Sequence, residues 1–256
     1  MKIAIIGPGA LGCLLAASLT IKLDQSRDVN PALDLWLLDY KPERARYLKE
    51  NGLILEEGNQ KKTCRINATV DPQEIGPADI IILCVKSPQV AAGLQLAAKL
   101  VQEDTLLVTL QNGIGHLALL KNRQKLPPIV LGVTAQGANM VAPGHVCHAG
   151  DGLTRIGFLK SASFTRSLLL AKVCNLLNYG GIETVIVDNI LDYLWSKLLI
   201  NTGINALTAI HRCPNGRLLE SADTKEKLSA AVWEGEAVAR ALGIELADDP
   251  LAITLD

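Results

Sequence analysis

Apolar runs of two periods alternate along the first 185 residues or so. Residues 2–6 (KIAII) form a short β-type block. Gly7-Pro8-Gly9-Ala10-Leu11-Gly12 follows at once, before CLLAASLTIKL, which is apolar at helical spacing. This is strand, glycine turn, helix. Residues 33–38 (LDLWLL) predict a second strand ending at Asp39, and Pro42 with the charged ERARYLKENG predicts a helix stopped at Gly52. Short strands are expected at 53–57 and 63–69 around the Glu57-Gly58-Asn59 turn. The wholly apolar ADIIILCV (78–85) reads as a strand inside a parallel sheet. Ser87-Pro88 opens a helix running to about Val101. Residues 105–110 and 129–134 predict further strands, and 144–159 a hairpin around Gly150-Asp151-Gly152.

Such alternation is the signature of an α/β fold, here a Rossmann-type doubly wound domain expected over residues 1–187. From Asp188 to Gly243 the alternation stops. Only helical periodicity remains, in NILDYLWSKLLINTGINALTAI and TKEKLSAAVWEGEAVARALG, so an all-helical domain is expected over 188–256.

Composition narrows the function classes. With 25 Lys+Arg against 26 Asp+Glu and 4 % aromatics, the chain lacks the basic excess and stacking platforms of a nucleic-acid binder. A hydrophobic share of 49 % excludes a disordered chain. Six cysteines (13, 64, 84, 147, 174 and 213) without a C-x-x-C pair read as reduced thiols. Glycines and a proline interrupt the apolar start, unlike a signal peptide, and no apolar run reaches the roughly 18 residues of a membrane span. A soluble cytoplasmic protein is expected.

The glycine turn has the strand-before, helix-after context that a dinucleotide site requires. Gly7 permits the tight turn, Gly9 lets backbone approach a pyrophosphate, and Gly12 lets helix pack on strand, with the free N–H groups of the helix start facing phosphate. Asp39, 27 residues after Gly12, stands where an acidic side chain accepts the ribose hydroxyls of NAD and repels a 2′-phosphate. It is also a candidate helix N-cap. Lys41 and Arg44, just beyond, could pair with a 2′-phosphate, so NAD and NADP stay balanced on these residues.

A second constellation lies in the helical half. Lys197, Asn201 and Asn205 are spaced four apart, each step turning only about 40° around a helix, so they line one face. Leu and Ile fill most intervening positions, and a largely buried helix is expected. A lysine ammonium can stabilise the charge that hydride addition places on a carbonyl oxygen and then donate a proton. Asparagines hold hydroxyl or carboxylate groups without titrating. Lys86 and Asn112 fall at the carboxyl ends of expected parallel strands, the edge where α/β sheets bind ligands. His145-x-x-His148 falls on an expected strand without carboxylates or cysteines in ligand spacing, so no metal site is expected.

Together these blocks resemble the ketopantoate reductase (2-dehydropantoate 2-reductase) family. The resemblance rests on GPGALG, CVKSPQV with Lys86, LQNGIG with Asn112, LWSKLLINTGINALTAI with Lys197, Asn201 and Asn205, and CPNGRLLE with Asn215. They come in the family's order over residues 1 to about 250. It implies NADPH-dependent reduction of 2-dehydropantoate, a small 2-oxoacid, to (R)-pantoate on the route to pantothenate and coenzyme A, with substrate in a cleft between the two domains. It assigns Lys197 as general acid. Substrate binding falls to Lys197, Asn112, Asn201, Asn205 and Asn215, and cofactor binding to Gly7–Gly12, Asp39, Lys86, Asn112 and Ala138 in TAQGAN.

Two features depart from the family pattern. NADPH-dependent members often carry Arg after the second strand, and Asp39 here keeps NADH open. The chain also reads as shortened, for the family's Ser-Ser-Met and Thr-Glu-Ile-Asp stretches are not found in these residues. Reduction of another 2-oxoacid, or a non-catalytic NAD(P)-binding homologue, are the alternatives. The helical half is a candidate surface for a homodimer.

Overall fold

A computed structural model describes residues 1–25, 33–121, 126–159 and 164–255. Asp256, the end of the expected helical domain, lies outside them. The chain forms two compact units. One comprises Met1–Gln111 and His116–Asp188; the other comprises Asn112–Gly115 and the residues from Asn189 onward.

In the first unit, β1 (Lys2–Ile6) passes through the glycine turn into α1 (Ala10–Gln25), followed by β2 (Asp34–Leu38) and α2 (Pro42–Asn51). Next come β3 (Leu53–Glu57), β4 (Gln60–Cys64), β5 (Asn67–Thr69), the one-turn α3 (Pro72–Ile75), β6 (Ile80–Leu83) and α4 (Val90–Ala97). The unit continues with β7 (Leu106–Thr109), α5 (Leu117–Lys121), β8 (Ile129–Thr134), β9 (Gly137–Ala142) and β10 (His145–Gly150). It ends with β11 (Thr154–Phe158), α6 (Phe164–Tyr179) and β12 (Thr184–Ile186).

Eight strands form one sheet in the order β12-β11-β8-β7-β6-β1-β2-β5. The run β5-β2-β1-β6-β7-β8 is the doubly wound order, with β1 where the direction of winding reverses. Its pairs are parallel, and β6 and β7 are buried at every position, which is why β6 reads as a continuous apolar run. β11 joins antiparallel to β8. A second sheet, β4-β3-β10-β9, packs on α1. Because α1 also touches β1, β2 and α6, it is covered on most sides, and Leu14, Leu15 and Leu19 are fully buried. Each contributes roughly 1.5–3 kcal/mol by leaving water.

Two expectations fail for one reason: apolar pattern marks a strand but not its partner. Residues 63–69 are not one strand, for Cys64 closes β4 in the small sheet and Asn67 opens β5 in the large one. Residues 144–159 are not a hairpin. β10 pairs antiparallel with β9 and parallel with β3, whereas β11 belongs to the large sheet, so Gly150-Asp151-Gly152 joins two sheets. The helix after Lys86 starts as a 3-10 turn at Ser87–Gln89, and α4 stops at Ala97.

The second unit is helical: α7 (Ile190–His211), a 3-10 turn at Asn215–Leu219, α8 (Ala222–Ala241) and α9 (Pro250–Leu255). Leu199, Leu218, Leu228 and Val232 form its core. A Cβ on Gly235 would meet Leu199 Cδ2 at 2.3 Å, so the missing side chain is what lets α7 and α8 approach. α7 ends where Arg212 takes a left-handed conformation (φ 50°), its N–H donating to Thr208 O, and Pro214 follows. Among the described residues no helix is long and apolar enough to cross a membrane.

Candidate active site

The first unit carries a candidate cofactor cradle at the carboxyl end of β1. Gly7 N donates to Leu38 O (3.0 Å) and Cys84 N to Ile6 O (2.8 Å), so the glycine turn sits between the ends of β2 and β6. This is the crevice where open α/β sheets bind ligands. Gly7 has φ +97°, and a Cβ there would stand 2.7 Å from Val85 Cγ1. Gly9 differs. Its Cβ position has no atom within 4 Å, so the open space before it is the cradle a side chain would fill. Cys13 N donates to Gly9 O (2.9 Å), starting α1 there; Ala10 and Leu11 are half-buried and Pro8 is buried. Backbone N–H groups at a helix start, with that opening before them, suit a diphosphate.

Asp39 is buried and accepts four hydrogen bonds. Its Oδ1 accepts from Tyr40 N (2.7 Å), Lys41 N (3.2 Å) and Arg44 Nη2 (2.6 Å), and Oδ2 accepts from Arg44 Nε. The hydrogen bond to Asp39 is the main cause holding the Arg44 pKa above its ordinary value. The N-cap of α2 is Lys41, so Asp39 is not that cap. Lys86 is exposed, directly before the 3-10 turn. Gln111, which no spacing in the sequence marks, has a buried side chain that donates to Val85 O (2.7 Å) and ties the segment after β7 to the one after β6. The block LQNGIG carried it beside Asn112.

Ala138 of the TAQGAN segment follows β8 by four residues. It lies within β9, paired with His148 and packed on the core. Tertiary structure also supplies the histidines of β10 with partners absent from their local sequence. His145 Nε2 lies 2.7 Å from Glu56 Oε2, and His148 Nε2 lies 2.6 Å from Gln136 Oε1.

In the second unit, α7 carries Lys197, Asn201 and Asn205. Lys197 and Asn201 are half-buried and Asn205 is exposed. Burial pushes the Lys197 ammonium below its ordinary pKa. One turn of the helix is anchored beside it, with Ser196 Oγ donating to Asp192 O (3.0 Å). The expectation of a largely buried helix is corrected: the buried residues are Ile190, Leu194, Trp195, Ser196, Leu199 and Gly203, and Ile210 is 71 % exposed. Among the described residues α8, α9 and the 3-10 turn pack against one flank of it. Asn215 opens that turn and is exposed, and Asn112, also exposed, belongs to this unit.

Comparison with known proteins bears on both units. The family profile "Ketopantoate reductase PanE/ApbA" matches residues 3–161, and "Ketopantoate reductase PanE/ApbA C terminal" matches residues 189–255. The chain belongs to the ketopantoate reductase family. It is 31 % identical over 249 residues to a 2-dehydropantoate 2-reductase of Halobacterium salinarum, covering 97 % of this chain and 78 % of that protein. The crystal structure of a PanE/ApbA family ketopantoate reductase from Ralstonia eutropha JMP134 superposes with a TM-score of 0.83 at 28 % identity, over 99 % of this chain and 79 % of that one. D-mandelate dehydrogenase, in a ternary structure with NADH and anilino(oxo)acetate, superposes with a TM-score of 0.85 at 26 % identity, over 100 % and 79 %. Family membership agrees with the α/β, doubly wound fold and helical second unit described above.

Proposed function

We infer that the chain is an oxidoreductase that reduces 2-dehydropantoate to (R)-pantoate with NADPH, within pantothenate and coenzyme A biosynthesis. The observation that carries this reading is Lys197, half-buried on α7 with its pKa lowered and two asparagines on the same helical face, in a chain both family profiles match. The dinucleotide, when bound, supplies the hydride. The chain's own groups do the rest. Gly9 leaves room for the pyrophosphate, and the N–H groups at the start of α1 complement its charge. Gly7 and Gly12 hold that turn, with Pro8, Ala10 and Leu11 forming its backbone, and Lys86 adds a cation at the β6 edge.

Lys197 acts as general acid: its ammonium stabilises the developing alkoxide and transfers a proton to that oxygen. A lowered pKa brings the ammonium nearer to neutrality as a donor. Asn112, Asn201, Asn205 and Asn215 hold the substrate's carboxylate and hydroxyl groups by hydrogen bonds that do not change with pH. Lys41 and Arg44, just past β2, support the choice of NADPH.

A second reading, reduction of a different 2-oxoacid with NADH, is favoured by the likeness to D-mandelate dehydrogenase. A steady-state assay of the purified chain separates them. NADPH and NADH are each offered with 2-dehydropantoate, pyruvate and phenylglyoxylate. The first reading expects the highest kcat/KM for 2-dehydropantoate with NADPH. Faster turnover of another 2-oxoacid would replace it, and no turnover of any would leave a binding protein.

A further inference from the structure

An acidic residue closing the second strand of a dinucleotide fold ordinarily accepts the two ribose hydroxyls and repels a 2′-phosphate. Asp39 occupies that position but is buried and already held by four donors. A carboxylate offers about four lone-pair sites. Oδ1 is surrounded by three donors, the N–H groups of Tyr40 and Lys41 and Nη2 of Arg44, and Oδ2 accepts from Nε of Arg44. The carboxylate is 1 % exposed, so a ribose hydroxyl has little access even to the site left on Oδ2. Its charge is also cancelled. Arg44 neutralises Asp39, and the exposed Lys41 and Glu43 beside them offset each other, so the edge is not left negative.

The same contacts fix the guanidinium. Asp39 takes the Nε–Nη2 edge, and the Tyr40 ring lies 5.6 Å from Arg44 Cζ, with Lys41 Nζ 5.8 Å from the same ring. The Nη1–Nη2 edge faces away from Asp39 and is the fork that matches two phosphate oxygens. The Arg44 side chain is 30 % exposed, accessible to a ligand while held at its other edge.

We propose that Asp39 is a positioning residue for Arg44, and that Arg44 is the ligand of the 2′-phosphate of the bound dinucleotide. This rests on the dinucleotide reading above and deepens it: the residue that looks NAD-selective in the sequence makes the site NADP-selective in the fold.

The test is equilibrium binding, by titration calorimetry, of 2′,5′-ADP and 5′-AMP, which carry no nicotinamide and report no turnover. The parent chain should bind 2′,5′-ADP about tenfold more tightly or better, as a charge-assisted fork requires. Asp39→Asn should lose about tenfold for 2′,5′-ADP while 5′-AMP changes less than about twofold. Arg44→Met should show the same selective loss, and Arg44→Lys should recover only part of it. Should Asp39→Asn fail to fold, Arg44→Met carries the test, since the Tyr40 and Lys41 N–H groups still partner Asp39. A ribose-reading Asp39 predicts the opposite sign: Asp39→Asn would bind 2′,5′-ADP more tightly and 5′-AMP more weakly, overturning the proposal. So would a parent that binds both nucleotides equally, or an Arg44→Met variant that binds 2′,5′-ADP like the parent. A parent that binds neither would overturn the dinucleotide reading, and this proposal with it.

Discussion

A Cβ on Gly12 would stand 2.4 Å from the carbonyl oxygen of Gly7. That oxygen belongs to the turn whose shape sets the strand-to-helix junction, so it cannot move aside as a side chain would. Gly12→Ala should therefore destabilise the fold by about 1–3 kcal/mol, seen as a lower urea midpoint with the slope unchanged.

Gly9→Ala makes the contrasting case, because nothing lies within 4 Å of its Cβ position. The variant should unfold at the parent's urea midpoint, within about 0.5 kcal/mol. Its affinity for NADPH, followed by fluorescence titration, should drop by about tenfold or more as the methyl fills the space proposed for the pyrophosphate. Unchanged affinity would mean that the opening holds no diphosphate.

Burial pushes the Cys13 thiol up to about 12 and the Cys64 thiol to about 11. Near neutral pH neither yields appreciable thiolate, the reactive form. Alkylation of the native protein by iodoacetamide, mapped by peptide mass, should modify the half-exposed Cys147 and Cys213 well before Cys13 and Cys64. In denaturant the difference should vanish.

The pH profile of reduction follows from the direction of the Lys197 shift. Its pKa lies below the ordinary 10.5, and the proton-bearing form is the active one. Activity should be full below that lowered pKa and fall about tenfold per pH unit above it. In Lys197→Arg the guanidinium stays protonated, so whatever residual rate survives should lose this alkaline limb. A limb that persists in the Arg variant would assign it to another group.

The large sheet was readable because parallel strands covered on both faces are nearly continuous apolar runs, as in Ile80–Leu83 and in Leu106–Thr109 up to its last residue. The small sheet was not. Arg65 and Ile66 carry no mark that separates β4 from β5, and β10 finds its parallel partner β3 some ninety residues back in the chain. The site shows the same division. Spacing alone puts Lys197, Asn201 and Asn205 on one helical face, yet it cannot say how much of α7 its neighbours cover, and Ile210 stays exposed. Asp39 is the sharpest instance. Its position in the sequence suggests a free acceptor, whereas a guanidinium five residues on, within the first turn of α2, already holds it.

The central claim is that Lys197 delivers the proton. It is tested most directly by comparing Lys197→Ala with the parent in steady-state turnover of 2-dehydropantoate, alongside NADPH affinity measured without substrate. The account predicts a fall in kcat of about a hundredfold to ten-thousandfold with affinity for NADPH within about twofold. Turnover that survives the substitution would contradict it.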